Sequence, residues 1–161
     1  MPDAKAFDIA EGHRVMAAEC FNRAWALLDL PERTPAETAE MVDAAHASRY
    51  HWVHRDDIQP RNLAISAWQL SRVYAAAGNP TMAASFGRES LDLCERYELP
   101  PFLVGYAHEA LARAARLDGD LEFAGFHLAR ARDAADEVRD QDDRAMLAGD
   151  LDEITGSLPA D

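Results

Sequence analysis

Apolar residues in this chain return every three or four positions, the spacing of one face of an α-helix. Single alternation of Val, Ile, Thr and aromatic residues between hairpin turns, the mark of a strand, is nearly absent. The first helix is predicted from about Asp8 to Leu28, with Val15, Ala18, Phe21, Trp25 and Leu28 on one face, and Leu30-Pro31 ends it. Thr34-Pro35-Ala36-Glu37 starts the second: a Thr cap, Pro in the first turn, and Glu three residues after the Thr. That helix should reach about His54. The third is predicted over about Pro60 to Ala77, burying Leu63, Ala67, Leu70 and Tyr74. Gly78-Asn79-Pro80 ends it and opens the fourth, which runs to about Tyr97. After Leu99-Pro100-Pro101 the fifth covers about Pro101 to Leu117, and Asp118-Gly119-Asp120 turns the chain into the sixth, Leu121 to Arg139. A short seventh helix, about Asp142 to Ile154, carries Asp150, Asp152 and Glu153 on what should be a solvated face, and the chain is expected to fray from Gly156.

The third and fourth helices echo the fifth and sixth. Gly78 and Gly119 stand 41 residues apart, and the same offset pairs Leu70 with Leu111, Ser71 with Ala112, Tyr74 with Ala115 and Ala83 with Ala124. A Leu followed by a small residue on the first helix, with small residues on the second, suits hairpins whose backbones approach closely and stack on the next pair. In these positions the chain resembles the tetratricopeptide repeat: Leu70, Ser71, Tyr74, Gly78 and Ala83 match one copy, and Leu111, Ala112, Gly119, Ala124 and Ala131 match the next. It departs from the family where Ala67 and His108 stand in place of the frequent Trp, where Ala115 replaces the Tyr, and in a period longer than the usual value of about thirty-four residues. The match covers about Asn62 to Val138; the first two helices fit the hairpin architecture without the motif. More narrowly, His46–Trp52, Trp68–Ala75 and His108–Ala114 are similar to an uncharacterised group of small bacterial tetratricopeptide-like proteins, a likeness that implies a fold and no activity. The expected architecture is therefore all-α: one domain over residues 1–161, an alpha-alpha superhelix of about three stacked hairpins with a C-terminal capping helix.

The resemblance also implies where a ligand would lie, because the first helix of each hairpin in such arrays lines the concave side. Beside the core stripe these residues are Ile65, Trp68 and Arg72 on the third helix, and Tyr106, Glu109 and Arg113 on the fifth. Guanidinium forks bind carboxylates, and Trp and Tyr give rigid contact area, so the strip suits a peptide, a protein segment or a small carboxylate. An ion pair between Arg72 and Glu109 is the competing use of the same groups. Asn62, Ser66 and Gln69 form a polar stripe beside it, either solvated or holding an extended peptide backbone.

Charge narrows the partners. The 161 residues carry 29 acidic and 16 basic side chains, a net charge of -13, which disfavours nucleic acid and anionic membranes as partners. A hydrophobic content of 48% is enough for a core. Cys20 and Cys94 form no CxxC pair and read as small apolar residues of a reduced compartment. Met1 to Glu11 has no basic region leading into an apolar run, so no secretory leader is expected, and the predicted location is cytoplasmic.

Three functional classes remain. A non-enzymatic binding module using the strip leads. A metal-dependent hydrolase would draw ligands from His46, His51, His54, His108 and Glu109; His51 and His54 have a helical ligand spacing, but no known ligand motif is repeated, and neither a metal nor another cofactor is expected. His46 and His51, near Trp52 and Asn62, instead suit hydrogen bonding at the junction of the first two hairpins, and His108 suits packing. A homodimer through the same face is the third class. Gly87 and Gly105 fall inside predicted helices, where they would allow close contact, and no glycine-rich phosphate loop or nucleophile elbow is present.

Overall fold

The computed structural model describes residues 8–156. Seven helices follow one another: α1 (Ile9–Leu28), α2 (Pro35–Val53), α3 (Pro60–Ala76), α4 (Pro80–Arg96), α5 (Pro101–Asp118), α6 (Leu121–Glu137) and α7 (Gln141–Gly156). No strand occurs among the described residues. Each boundary lies within two residues of its expected place, because the stop and start signals are local. The predicted fraying falls mostly beyond residue 156 and so outside the described residues, as does the start of the segment read for a leader.

Capping chemistry explains the boundaries. Thr34 and Glu37 form a reciprocal capping box at α2: the Thr34 side chain accepts from the Glu37 amide, and the Glu37 carboxylate accepts from the Thr34 amide. The two turns of the repeat are built alike. Gly78 and Gly119 adopt left-handed φ of 75° and 85°, and the next amides, of Asn79 and Asp120, donate back to the carbonyls of Tyr74 and Ala115 at 2.9 Å. The Asn79 and Asp120 side chains then cap α4 and α6 by accepting from the Met82 and Phe123 amides. At the end of α4 the same left-handed place is filled by Glu98, with φ 48°.

Adjacent helices pack in pairs, α1 with α2, α3 with α4 and α5 with α6. The chain divides into two compact units, Met1–Gln59 and Pro60–Asp161. In the first, α1 and α2 meet through Ala17, Ala24, Leu27, Met41, Ala44 and Ala45, and the Ser48 hydroxyl donates to the Ala17 carbonyl at 2.9 Å. The expected α1 face is displaced: Val15 and Ala18 are exposed, and the alanines bury instead, since small side chains let two backbones come close.

In the second unit α5 is the central rod, packed against α3, α4, α6 and α7. Leu111, Ala112, Ala110 and Ala114 are fully buried on it. One cluster joins Tyr106, Ala112, Leu128 and Ala131 to Leu147, Leu151 and Ile154 of α7; another joins Ala64, Leu91, Cys94, Ala107 and Leu111. Hydroxyls stitch the α3–α4 hairpin, Ser71 donating to the Ala83 carbonyl and Ser90 to the Ala64 carbonyl, at 2.7 and 3.0 Å. The in-helix glycines mark tight contacts. A Cβ on Gly105 would lie 2.4 Å from the Leu147 side chain, and one on Gly87 would lie 3.1 Å from that of Leu111. Cys20 and Cys94 are free thiols, and burial pushes that of Cys94 up to about 11. No described helix is long and apolar enough to cross a membrane.

Candidate functional site

The strip read from the sequence comes together on α3 and α5, which lie side by side. Trp68 and Arg72 are one turn apart on α3; Tyr106, Glu109 and Arg113 follow at spacings of three and four on α5. Trp68 and Tyr106 meet edge to face, with centroids 5.1 Å apart, and Phe102 meets Tyr106 in the same way at 5.0 Å. With Ile65, Leu103 and Met146 these rings line an apolar cavity of about 190 Å³. The Tyr106 hydroxyl is taken up by α7, donating to Asp150 Oδ2 at 2.7 Å. Burial, that carboxylate and Glu109 all hold the phenol protonated by raising its pKa.

Beyond the rings lies an ion triad. Glu109 is fully buried. Arg72 Nη1 donates to its Oε1 at 3.1 Å, and Arg113 donates to the same oxygen through Nε at 2.8 Å and Nη2 at 2.5 Å. Both arginines keep about a fifth of their side-chain surface in solvent, at 19% and 20%. Two guanidiniums thus share one carboxylate. Glu109 Oε2 and Arg72 Nε, both buried, have no hydrogen-bond partner, and a buried polar atom left so costs roughly 1–3 kcal/mol.

The polar stripe is not solvated. Gln69 and Ser66 are buried, and the Ser66 hydroxyl donates to the carbonyl of half-buried Asn62 at 2.8 Å. The sequence reading did not join Phe102, Met146 or Asp150 to the strip: Phe102 lies one turn before Tyr106 on α5, and the acidic run of α7 read as a solvated face.

The histidines form pairs across hairpins. In the first unit His51 Nδ1 lies 2.9 Å from that of His13, which the sequence reading passed over, and His54 stacks on His13 at 5.2 Å. Both members of the pair sit at similar distances along the chain from the Pro31 turn, so the hairpin itself was the signal. Arg55 lies over the Trp52 ring at 4.2 Å and pairs with Asp57. His46 is half-buried, and its pKa is lowered by desolvation and by Arg49. In the second unit His108 and His127 bring their Nδ1 atoms to 2.8 Å. His127 is buried, its Nε2 has no partner, and desolvation with His108 and Arg88 pushes its pKa down to about 4. Glu109 is committed to two guanidiniums and His108 to His127. Among the described residues no group of three or more His, Cys, Asp or Glu side chains could hold a metal ion.

The chain matches no protein-family model, no curated protein and no solved structure.

Proposed function

We propose that this chain is a binding module of the tetratricopeptide type, a superhelical stack of hairpins, whose α3–α5 face takes a ligand carrying a carboxylate next to a bulky apolar group. The ligand is a segment of a partner protein or a small organic acid, and the module works in the cytoplasm. The observation that carries the reading is that Arg72 and Arg113 converge on a single oxygen of Glu109 beside an aromatic-lined cavity. The triad holds one positive charge in excess, partly open to solvent, within a strongly acidic chain. A second carboxylate brought to the guanidiniums completes the balance, and a guanidinium fork matches the two oxygens of a carboxylate. The rings supply the apolar contact, with few rotamers to immobilise.

Calorimetry with 3-phenylpropionate and with its neutral amide tests the idea. The acid should bind, the amide at least ten-fold more weakly. Arg72→Gln should erase most of that difference, and Trp68→Leu should weaken both compounds. Equal affinity for acid and amide, or no heat with either at millimolar concentration, counts against the proposal.

A further inference from the structure

A second groove, of about 500 Å³, lies on the other side of α5, between α4 and α6. Its residues there are Pro101, Val104 and His108, which alternate around the helix with the Phe102, Tyr106 and Glu109 of the first face. Charge along this groove is segregated. Arg88 of α4 and Arg130 of α6 flank the His108–His127 pair at one end. Glu95 of α4 and Glu137 of α6 lie at the other, with Asp133 between Arg130 and Glu137. Because α5 runs antiparallel to its neighbours, Pro101 falls at the acidic end and His108 at the basic one. Leu91 and Val104 form the apolar stretch between.

The spacing is regular. Arg88 to Glu95, Arg130 to Glu137 and His108 to Pro101 are each seven residues, close to two helical turns, or about 10 Å at the rise of an α-helix. The basic end is built rather than incidental. Arg130 sits over the Phe126 ring, 5.7 Å from its centroid. In the imidazole pair one Nδ1 donates and the other accepts. An unpaired buried N–H is rarer in proteins than an unpaired acceptor. With His127 as the Nδ1 donor, its buried Nε2 is an acceptor and not an unpaired N–H, and His108 then carries an Nε2–H beside the two guanidiniums.

We propose that this groove binds a short linear zwitterion, a free tripeptide, with its carboxylate at Arg88, Arg130 and His108 and its ammonium at Glu95 and Glu137. An extended tripeptide spans about 10 Å, which matches the separation of the charges. An apolar central side chain rests on Leu91 and Val104. The site is independent of the α3–α5 face, since it uses the other side of α5 and none of the same side chains.

The test is calorimetric titration of the full chain with Ala-Leu-Ala, N-acetyl-Ala-Leu-Ala and Ala-Leu-Ala-amide. The free peptide should bind, and each blocking group should weaken it ten-fold or more. Arg130→Gln should remove the discrimination against the amide, and Glu137→Gln the discrimination against the acetyl form. Both positions are exposed, so neither variant should disturb folding. Arg72→Gln should leave tripeptide binding unchanged, which separates this site from the first face. Acetylated and free peptides of equal affinity would overturn the proposal. So would no binding of the free peptide at millimolar concentration, or binding lost in Arg72→Gln and kept in Arg130→Gln.

Discussion

Gly105 is where one methyl group decides whether α7 can dock. Its missing Cβ leaves the space that the Leu147 side chain fills. Gly105→Ala should lower stability by about 1–3 kcal/mol, the cost of overpacking a filled core. Gly125→Ala, on α6 with nothing within 4 Å, should instead raise it by about 0.5–1 kcal/mol. Urea denaturation of the two variants checks the contrast, and equal effects would contradict it. His127 sets a second residue-scale expectation. Its folded pKa, about 4, lies below its ordinary 6.5. Between those values the unfolded chain binds more protons, so its contribution is present above about 6.5 and lost as pH falls toward 4. Stability measured from pH 7 to 5 should fall by roughly 1.4 kcal/mol per unit at its steepest, and His127→Leu should flatten the slope. His108, lowered by burial and by Arg130, acts in the same direction.

The turn glycines were legible because a left-handed helix end is comfortable for little else. Glu98 was not: it takes the same conformation with no glycine to announce it. The close-contact roles of Gly87 and Gly105 were also readable, since a glycine inside a helical pattern weakens the helix unless packing requires it.

At the scale of elements, the α3–α5 contact rests on the Arg72–Glu109–Arg113 triad. Removing its centre leaves two guanidiniums facing each other in a partly dry site. Glu109→Ala should cost about 3–5 kcal/mol, and replacing all three by Met, Leu and Met should recover most of the loss. Thermal melts of the single and triple variants test this; a mild single variant would mean that solvent, not Glu109, balances the charges. The sequence placed these side chains on neighbouring rods, because period and offset fix which faces adjoin. It did not reveal how deeply Glu109 lies, nor that Gln69 and Ser66 are buried. Polarity marked them as surface, but both are buried on α3 beside Ala67, Leu70 and Val73. The α1 stripe misled for a related reason. Val15 and Ala18 have the right spacing, but Ala17, Ala24 and Leu27 make the close approach. The acidic residues of α7 hid its packing face, Leu147, Leu151 and Ile154.

For the whole molecule, the division at Gln59–Pro60 is a claim about cooperativity. The second unit has its own buried clusters and a helix, α5, with four packed neighbours. A fragment from Pro60 to the C-terminus should fold with a sigmoidal melt. The Met1–Gln59 hairpin, with few large buried side chains, should be only partly helical alone. Circular dichroism of the two pieces tells; a non-cooperative second fragment would show that the units fold only together.

The central claim is that the rings and guanidiniums of α3 and α5 recognise a carboxylate attached to an apolar group. Nitrogen-15 spectra recorded while 3-phenylpropionate is added report it residue by residue. The account predicts that the Trp68 indole and the Arg72 and Arg113 side-chain Nε–H resonances move together, with one dissociation constant, while those of Arg88 and Arg130 stay in place. Shifts confined to other helices, or the same response to the neutral amide, would contradict it.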